Sequence, residues 1–223
     1  MVIILEGSDR RQRAKYFEQL FRMRYELFVK RRGWPLPSLN GREIDQYDVD
    51  DAVYFLDLDD DDAIQGSVRI NPSETGSLIS DYFPHLIETG EAVRSQRIYE
   101  ATRLICLPTD KSKDGVRTAK ARLLGAMVEW GIRKRLDFIQ TVIESTALSS
   151  FVEMTPMTIP LGLSHPYGGG RKTPGGGECM AIRWPMTEQV LEDIRHYGRL
   201  SDLDPAWLEV AASARQPSLP TIH

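Results

Sequence analysis

The order of strand-like and helix-like segments constrains the fold of this chain more than any other feature. Residues 14–30 have the apolar periodicity of an amphipathic helix. Two strand-like runs follow around an acidic turn, at residues 52–58 and 63–70, which is the pattern of a hairpin. The later segments alternate, with strand patterns at residues 97–107, 138–144 and 178–184 and helix patterns at residues 116–135, 146–154 and 187–197. This order predicts one α/β domain around a mixed sheet.

The composition fits a single domain that we place at residues 1–200. The chain has 223 residues, of which 41% are hydrophobic and 27% charged, a globular composition with enough apolar side chains for a core. Residues 201–223 contain few large apolar side chains, so we expect a weakly ordered C-terminal segment. Two glycine-rich pieces, residues 168–170 and 175–177, precede a strand pattern rather than a helix, which favours a hairpin connection over a phosphate-binding loop.

Charge, hydropathy and cysteine content argue against several classes of protein. The net charge of −4 argues against general nucleic-acid binding. No apolar run is long enough to span a membrane, and residues 2–5 are too few for a signal-peptide core. Cys106 and Cys179 have no metal or redox spacing. We therefore expect a cytoplasmic protein with reduced thiols, without a metal, a membrane or a nucleic acid as partner.

The first predicted helix has an arginine in the middle of its apolar face. Steps of about 100° per residue place Arg24 among its large apolar side chains. A desolvated guanidinium needs carboxylate partners. Three follow in the loop of residues 41–51, namely Glu43, Asp45 and Asp48. The cluster is either a structural ion-pair network that fastens the loop to the helix or a functional site, and the pattern alone does not separate the two.

Three further charged residues lie in predicted strands. Arg69 points away from the face of Ile64, Val68 and Ile70, and on pattern alone such an arginine is most often solvated. Strict alternation puts Glu100 and Arg103 on opposite faces of their strand, so they serve one site only where a bulge or splay interrupts it. The alternative is a surface pair with an unrelated glutamate at the core edge.

Aromatic and basic residues complete the candidate set. Phe28, Trp34 and Phe83 suit a ligand with a cation and a flat ring, although core packing is the better interpretation of any one of them. Basic runs are typical of solvated faces, but together they also suit an acidic partner. The basic residues of the long predicted helix and its end are Arg117, Lys120, Arg122, Arg133, Lys134 and Arg135.

Five stretches together resemble the LuxI-type acyl-homoserine-lactone synthases, a family of autoinducer synthases. They read MRYELFVKRRGW (residues 23–34), GREIDQYDVDDAVYFL (41–56), GSVRINP (66–72), DYFP (81–84) and YEATRL (99–104). The charged and aromatic signature of the family falls on Arg24, Phe28, Trp34, Glu43, Asp45, Asp48, Arg69, Phe83, Glu100 and Arg103. The resemblance covers residues 14–190, and a match so widely spread is more specific than any single motif. One departure is Glu-Ala-Thr-Arg at residues 100–103, where the family commonly has a Glu-Leu-Ser-Arg-type run.

The resemblance implies an N-acetyltransferase-like (GNAT-like) fold, a mixed twisted sheet with a central splay and flanking helices. It implies acyl transfer from a thioester to the amine of S-adenosylmethionine, followed by lactone closure with release of methylthioadenosine, for quorum-sensing signalling. S-adenosylmethionine is then a substrate, and no cofactor is expected. In this interpretation Glu100 is the candidate general base and Glu43 the second candidate, with Arg103 at the catalytic site.

The same resemblance assigns roles to the remaining residues. It implies that Arg24 and Arg69 hold the acidic loop, residues 41–51, in place. It also implies that S-adenosylmethionine binds to Phe28, Trp34, Asp45, Asp48, Phe83 and Arg103. Thr141, Met127 and Phe151 are expected to line the acyl pocket. The acyl donor is acyl carrier protein or acyl-CoA, for which the basic residues of the long predicted helix and its end are the expected docking surface.

Two other functions stay open. An ordinary N-acetyltransferase with acetyl-CoA requires a glycine-rich turn between the central strand and the long helix, but the sequence LPTDKSKDGVRTAK there contains one glycine. A catalytically inactive binding module of the same fold predicts loss of charged site residues, and all ten signature positions are retained.

Overall fold

One mixed, nine-stranded sheet organises the part of the chain that this computed structural model describes, residues 1–90 and 93–201 with the backbone of 208–209. Its order is β11-β1-β4-β5-β6-β7-β10-β8, and β9 pairs with β10; β2 and β3 form a separate ribbon. The strands are β1 (Val2–Glu6), β2 (Ser38–Leu39), β3 (Arg42–Glu43), β4 (Val53–Leu58), β5 (Ile64–Pro72), β6 (Ile98–Cys106), β7 (Phe138–Glu144), β8 (Ile159–Pro160), β9 (His165–Tyr167), β10 (Gly177–Pro185) and β11 (Leu208–Glu209). The helices are α1 (Ala14–Arg24), α2 (Leu78–Tyr82), α3 (Lys113–Arg133), α4 (Leu148–Met154) and α5 (Glu188–Gly198).

The predicted segments agree with these elements, except that two predicted helices contain a stretch of another helix type. The predicted helix of residues 14–30 ends as an α-helix at Arg24 and continues as a π-helical turn, Tyr25–Arg31. The predicted helix of residues 146–154 begins as a 3₁₀ turn, Ser145–Ala147. The short N-terminal apolar run forms β1, which pairs with β4.

The central strands are buried on both faces because helices cover both. In β4, Val53 and Phe55 face the core under α3 and α5, whereas Tyr54 and Leu56 face the smaller core under α1. This explains why β4 is buried throughout and has four large apolar or aromatic residues in a row, Val53 to Leu56, instead of alternating.

The sheet opens between β6 and β7, as the GNAT-like fold predicts. These parallel strands pair only from Ile98 opposite Phe138 to Ala101 opposite Thr141, and then part. At the same level the register between β5 and β6 shifts between Ser67 and Arg69. Arg103 lies at this bulge with a φ of 56°, a left-handed conformation that is uncommon for arginine. The bulge breaks the strict alternation of side chains along β6. This is the condition under which Glu100 and Arg103 can contribute to the same site.

The glycine-rich pieces form the expected hairpin connection. β9 pairs antiparallel with β10, from Gly177 opposite Tyr167 to Cys179 opposite His165. Gly168, Gly169 and Gly170 all have positive φ, which a side chain would disfavour.

Two further expectations concern the C-terminal segment and a membrane span. The C-terminal segment 201–223 falls outside the described residues, apart from Ser201 and the backbone of β11, which pairs parallel with β1. In the ranges that are described, no helix combines the length and the apolar character needed to cross a membrane.

Candidate active site

A cavity of about 780 Å³ lies where β6 and β7 part. Residues 101–104 of β6 and residues 141–144 of β7 form its middle. Side chains of the α3 core line one end, among them Leu124, Met127, Ile143, Phe151 and Trp184. Polar and aromatic side chains line the other end, among them Phe28, Trp34, Tyr47, Phe83 and Tyr167. The cavity therefore passes through the sheet and joins an apolar half to a polar, aromatic half.

Arg24 lies at the centre of a buried ion-pair network below the polar half. Its side chain is fully buried, and it donates to Glu43 at 2.5 Å and to Asp48 at 2.7 and 3.0 Å. Burial alone would lower the pKa of this guanidinium, but Asp48 and Glu43 hold it above its usual value. The sequence left a structural and a functional role open, and these contacts support the structural one.

Two more arginines complete the network. Arg69 donates to Asp45 at 2.6 Å, and Arg103 donates to Glu43 at 2.9 Å and to Asp45 at 2.7 Å. Arg69 also lies 2.8 Å from Asp48. Burial would raise the pKa of the Asp48 carboxyl, but Arg69 and Arg24 hold it well below its usual range. Three guanidiniums thus face three carboxylates, and the network is balanced in charge.

Arg69 corrects the expectation of a solvated arginine. Its side chain is 1% exposed, because the α1 core and the acidic loop cover the face of β5 on which it lies. Its Nε–H donates to Thr102 at 3.1 Å, which ties the loop to β6 at the bulge. An isolated strand pattern cannot show such cover, because it comes from a distant part of the chain.

The network members do not all reach the cavity. Asp45 and Arg103 belong to its wall, whereas Glu43 and Asp48 are buried and are not among the residues that line it. The contact of Asp48 with S-adenosylmethionine and the second-candidate base role of Glu43 stay predictions, since both side chains are buried in this structure. Both belong to the group of residues that shapes the acidic loop.

Glu100 is buried and anchors the short helix α2. Its carboxylate accepts the backbone N–H groups of Leu78 at 2.5 Å and Ile79 at 2.8 Å. Burial raises its pKa to about 7, against the opposing effect of the Ile79 and Leu78 amides. Glu100 is not among the cavity-lining residues, but Leu78 is, so Glu100 positions part of the wall.

The aromatic residues form a stacked wall. The rings of Phe28 and Trp34 are 5.2 Å apart and nearly parallel, at 4°. The guanidinium of Arg103 lies 5.7 Å from the centre of the Phe28 ring. Phe83, directly after α2, lines the same half of the cavity. Aromatic faces of this kind attract flat rings and cations, so the predicted role of these residues in binding such a ligand stays a prediction.

The three residues predicted for the acyl pocket line the apolar half. Met127 comes from α3, Thr141 from β7 and Phe151 from α4. Trp184 closes this region beside Phe151, and its indole N–H donates to Thr158 at 2.7 Å. The apolar half therefore has a fixed back wall.

The predicted docking residues divide between the two ends of α3. This helix has 21 residues and a length of about 30 Å. The splay is closed where the beginnings of β6 and β7 pair and open where the two strands end. The N-terminus of α3 follows β6 at the open end, whereas Arg133, Lys134 and Arg135 lie before β7 at the closed end. The placement of these three residues argues against their docking a thioester donor.

The remaining predicted docking residues lie nearer the open end but have internal partners. Arg117 pairs with Asp114 at 2.6 Å and Arg122 with Asp57 at 2.6 Å. The Lys120 amine donates to Ser150 and lies 4.1 Å from the centre of the Phe151 ring. Burial lowers the pKa of Lys120 to about 8. Lys120 therefore joins α3 to α4 beside the apolar half of the cavity.

A second polar group lies in the wall, at positions for which the sequence predicted no polar role. Glu144, at the end of β7, accepts a hydrogen bond from the Tyr167 hydroxyl, and Arg32 lies 3.9 Å from the same carboxylate. All three line the cavity. The hairpin of β9 and β10 brings Tyr167 to Glu144, and the glycine-rich stretches that predicted this hairpin were the available signal.

Within the described ranges, no cluster of three or more His, Cys, Asp or Glu side chains could hold a metal ion.

Comparison with known proteins gives one family. The sequence model described as "Autoinducer synthase" matches residues 8–151. The isovaleryl-homoserine lactone synthase of Bradyrhizobium diazoefficiens is 30% identical over 164 residues, which cover 73% of each chain. The acyl-homoserine-lactone synthase of Ralstonia nicotianae is 31% identical over 165 residues, which cover 71% of this chain and 76% of the relative.

Solved structures give the same result. The CoA-dependent acyl-homoserine lactone synthase BjaI, solved with S-adenosylmethionine and isopentyl-CoA, superposes with a TM-score of 0.79 at 25% identity, over 94% of this chain and 92% of that one. The CoA-dependent synthase MesI superposes with a TM-score of 0.75 at 25% identity, over 90% and 96%. The chain therefore belongs to the autoinducer synthase family and is an acyltransferase of the acyl-homoserine-lactone synthase class.

Proposed function

We propose that this enzyme transfers the acyl group of an acyl-CoA to the amine of S-adenosylmethionine and then closes the lactone. The observation that carries this proposal is the continuous cavity through the splay, with a polar aromatic half and an apolar half. The first suits an adenosyl group and a charged amino acid, and the second suits an acyl chain. The reacting amine and carbonyl then meet between the parted strands.

The polar half offers candidate contacts for the adenine and the carboxylate of S-adenosylmethionine. The stacked rings of Phe28 and Trp34 suit the adenine, and Phe83 covers the same half. Arg103 is the arginine of the network that lines the cavity, so it is the candidate partner for the methionine carboxylate. Arg69 lies beneath the wall and holds Asp45 in place.

The first step forms an amide bond and releases a thiol. The neutral amine attacks the thioester carbonyl, the C–S bond breaks, and the thiolate leaves as CoA after taking up a proton. An α-amine has a pKa of about 7.7–8.0, so a fraction is already neutral near pH 7. Beyond Ala101, the edge of β6 has no ladder partner in β7, so its backbone N–H groups are candidates to stabilise the carbonyl oxygen.

The second step needs the sulfonium of the substrate. The methionine carboxylate attacks its own γ-carbon, the bond from that carbon to sulfur breaks, and methylthioadenosine leaves as a neutral thioether. From S-adenosylmethionine with a protonated amine, the whole reaction releases one proton. The enzyme contributes mainly by holding the carboxylate and the leaving group in line.

The open end of the splay is the proposed mouth for the donor. β6 ends there at Cys106, and Lys111 and Lys113 are exposed just before and at the start of α3. Their positive charge suits the phosphates of CoA, as it would the acidic surface of an acyl carrier protein. We favour CoA because BjaI and MesI are CoA-dependent. Both proposed substrates are metabolites of the cell interior, so we expect the reaction to take place in the cytoplasm.

The test is product analysis with purified protein. S-adenosylmethionine and a panel of acyl-CoA and acyl carrier protein donors are supplied, and lactone and methylthioadenosine are measured by mass spectrometry. We expect both products in equal amounts from at least one acyl-CoA. S-adenosylhomocysteine is the matched control, because it lacks the sulfonium leaving group and cannot give lactone. Products from carrier-bound donors alone would assign the donor to acyl carrier protein, and acylated amine without methylthioadenosine would refute the synthase function.

A further inference from the structure

Glu144 is a cavity-facing carboxylate at the end of β7. Its side chain is 35% exposed, and it lies opposite Cys179 in the ladder with β10. The Tyr167 hydroxyl donates to its Oε1, while the nearest guanidinium atom of Arg32 is 3.9 Å away on a side chain that is 44% exposed. Glu144 thus has a fixed orientation but only a weak, solvent-screened cationic neighbour.

The local backbone makes room for this carboxylate. A Cβ at Gly177 would lie 2.8 Å from the Tyr167 hydroxyl oxygen and 3.0 Å from Oε2 of Glu144, so a side chain there would displace the ends of these two side chains. Burial and the neighbouring Glu144 raise the pKa of Tyr167 to about 12, so the phenol stays protonated and donates. The edge of the Tyr167 ring meets Trp34, with ring centres 6.4 Å apart. Glu144 is thereby tied to the aromatic wall proposed for the adenosyl group.

The charges of the wall single out this carboxylate. Its other carboxylate, Asp45, accepts hydrogen bonds from Arg69 and Arg103. Asp45 also belongs to a network in which three guanidiniums balance three carboxylates, so it offers little net charge to a ligand. Among the described residues that line the cavity, Glu144 is therefore the carboxylate whose charge is left to act on a substrate.

We propose that Glu144 is the electrostatic partner of the sulfonium of S-adenosylmethionine. The inference rests on the proposed function and assigns a substrate group to this position. A sulfonium has no N–H or O–H to donate, so a nearby carboxylate and aromatic faces are what a protein can offer it. The attraction ends when the second step turns the sulfonium into a neutral thioether. Glu144 therefore favours binding of the substrate over binding of methylthioadenosine.

The test compares charged and neutral ligands. Glu144→Gln keeps the size of the side chain and its contact with Tyr167 but removes the charge. We expect its Kd and KM for S-adenosylmethionine to rise about tenfold, the effect of losing roughly 1.4 kcal/mol of binding free energy. The Kd for S-adenosylhomocysteine, which has the same adenosyl and amino acid groups without the positive sulfur, should stay within twofold.

A matched control and a second variant keep the result interpretable. Glu178→Gln removes a carboxylate of β10 that pairs with Arg171 and does not line the cavity. It should leave the Kd of both ligands unchanged. Tyr167→Phe should weaken S-adenosylmethionine binding in the same direction but less, because it frees Glu144 without removing its charge. Equal losses for both ligands, or no loss for either, would overturn the inference. Wild-type protein that makes no lactone would instead refute the proposed function.

Discussion

At the scale of single residues, Arg24 is one of the three cations that hold the acidic loop. It is fully buried and bonds both Glu43 and Asp48. Arg24→Met should lower the free energy of unfolding by about 3–5 kcal/mol, because it leaves buried carboxylates without their partner. Urea unfolding at pH 7 measures this loss. Activity should fall with it, since Asp45 in the cavity wall belongs to the same network.

An exposed arginine on the same helix gives the control. Arg22→Met removes a pair with Glu18 on a side chain that is 61% exposed, and it should cost no more than about 0.5 kcal/mol. The pKa of Asp48 is depressed in the folded state, so its contribution is present above its unfolded pKa and is lost as the pH falls. The deficit of Arg24→Met should therefore shrink in acid. A variant that unfolds like wild type at pH 7 would show that the network contributes little.

The stability that Glu100 contributes should depend on pH in the opposite direction to the contribution of Asp48. Its pKa is raised to about 7, above an unfolded value of about 4.3, so its contribution is fully present below pH 4. That contribution is lost as the pH rises through 7, by up to about 1.4 kcal/mol per pH unit. Relative to Glu100→Gln, wild type should therefore lose stability between pH 5 and pH 7 and level off above it. Urea unfolding at four pH values measures this, and a constant difference would mean an ordinary pKa.

The activity of Glu100→Gln shows whether Glu100 acts as a general base or as a positioning residue. Loss of a general base costs about 10²–10⁴ in kcat, with residual activity that rises as the substrate amine deprotonates. Loss of the anchor of α2 should instead raise the KM for S-adenosylmethionine, because Leu78 and Phe83 lose their support. The buried position of Glu100 favours the second result.

The residues of the site differ in how far the sequence could predict them. Helical periodicity put Arg24 on an apolar face, and a buried guanidinium requires nearby carboxylates, so its network was predictable. The burial of Arg69 was not, because its cover comes from α1 and the acidic loop. The contact of Glu100 with the α2 amides joins segments 21 and 22 residues apart and follows from strand register, which a linear pattern does not contain.

At the scale of elements, periodicity predicted the regular segments and failed where the backbone is irregular. The hairpin of β4 and β5, the long helix α3 and the strands β7 and β10 follow their apolar patterns. The π-helical turn after Arg24 keeps the helical spacing closely enough that the pattern looks continuous. The strand β1 has four apolar residues in a row, which are too few for a signal-peptide core but enough for a buried strand.

The two ends of α3 make a prediction about the donor. Reversing Lys111 and Lys113 to Glu should raise the KM for the acyl donor severalfold at low salt, because both lie at the open end of the splay. The effect should shrink at high salt, since exposed charges are screened within about 10 Å at 0.1 M. Reversing Arg133, Lys134 and Arg135 at the closed end is the matched control and should leave this KM unchanged. The opposite result would place the donor mouth at the far end of the helix.

At the scale of the whole molecule, the sequence predicted the splay but not the division of the cavity. The family resemblance implied parted strands, and the bulge at Arg103 fulfils the condition that alternation imposed. Which side chains of β7 face which half depends on its pairing with β10, so the sequence pattern could not show that Thr141 faces the apolar half and Glu144 the polar half. Three-dimensional pairing, rather than composition, divides the polar half from the apolar half.

This division predicts that the two substrates can be disturbed separately. Ala147→Phe adds a ring to the apolar half from the short turn before α4, so it should raise the KM for long acyl donors at least tenfold and shift preference to shorter chains. Binding of S-adenosylmethionine, followed by calorimetry, should stay within twofold. Trp34→Ala removes half of the aromatic stack, so it should weaken S-adenosylmethionine binding about tenfold and leave the order of donor preference unchanged. Loss of both substrates in either variant would mean that the two halves close as one unit around the splay.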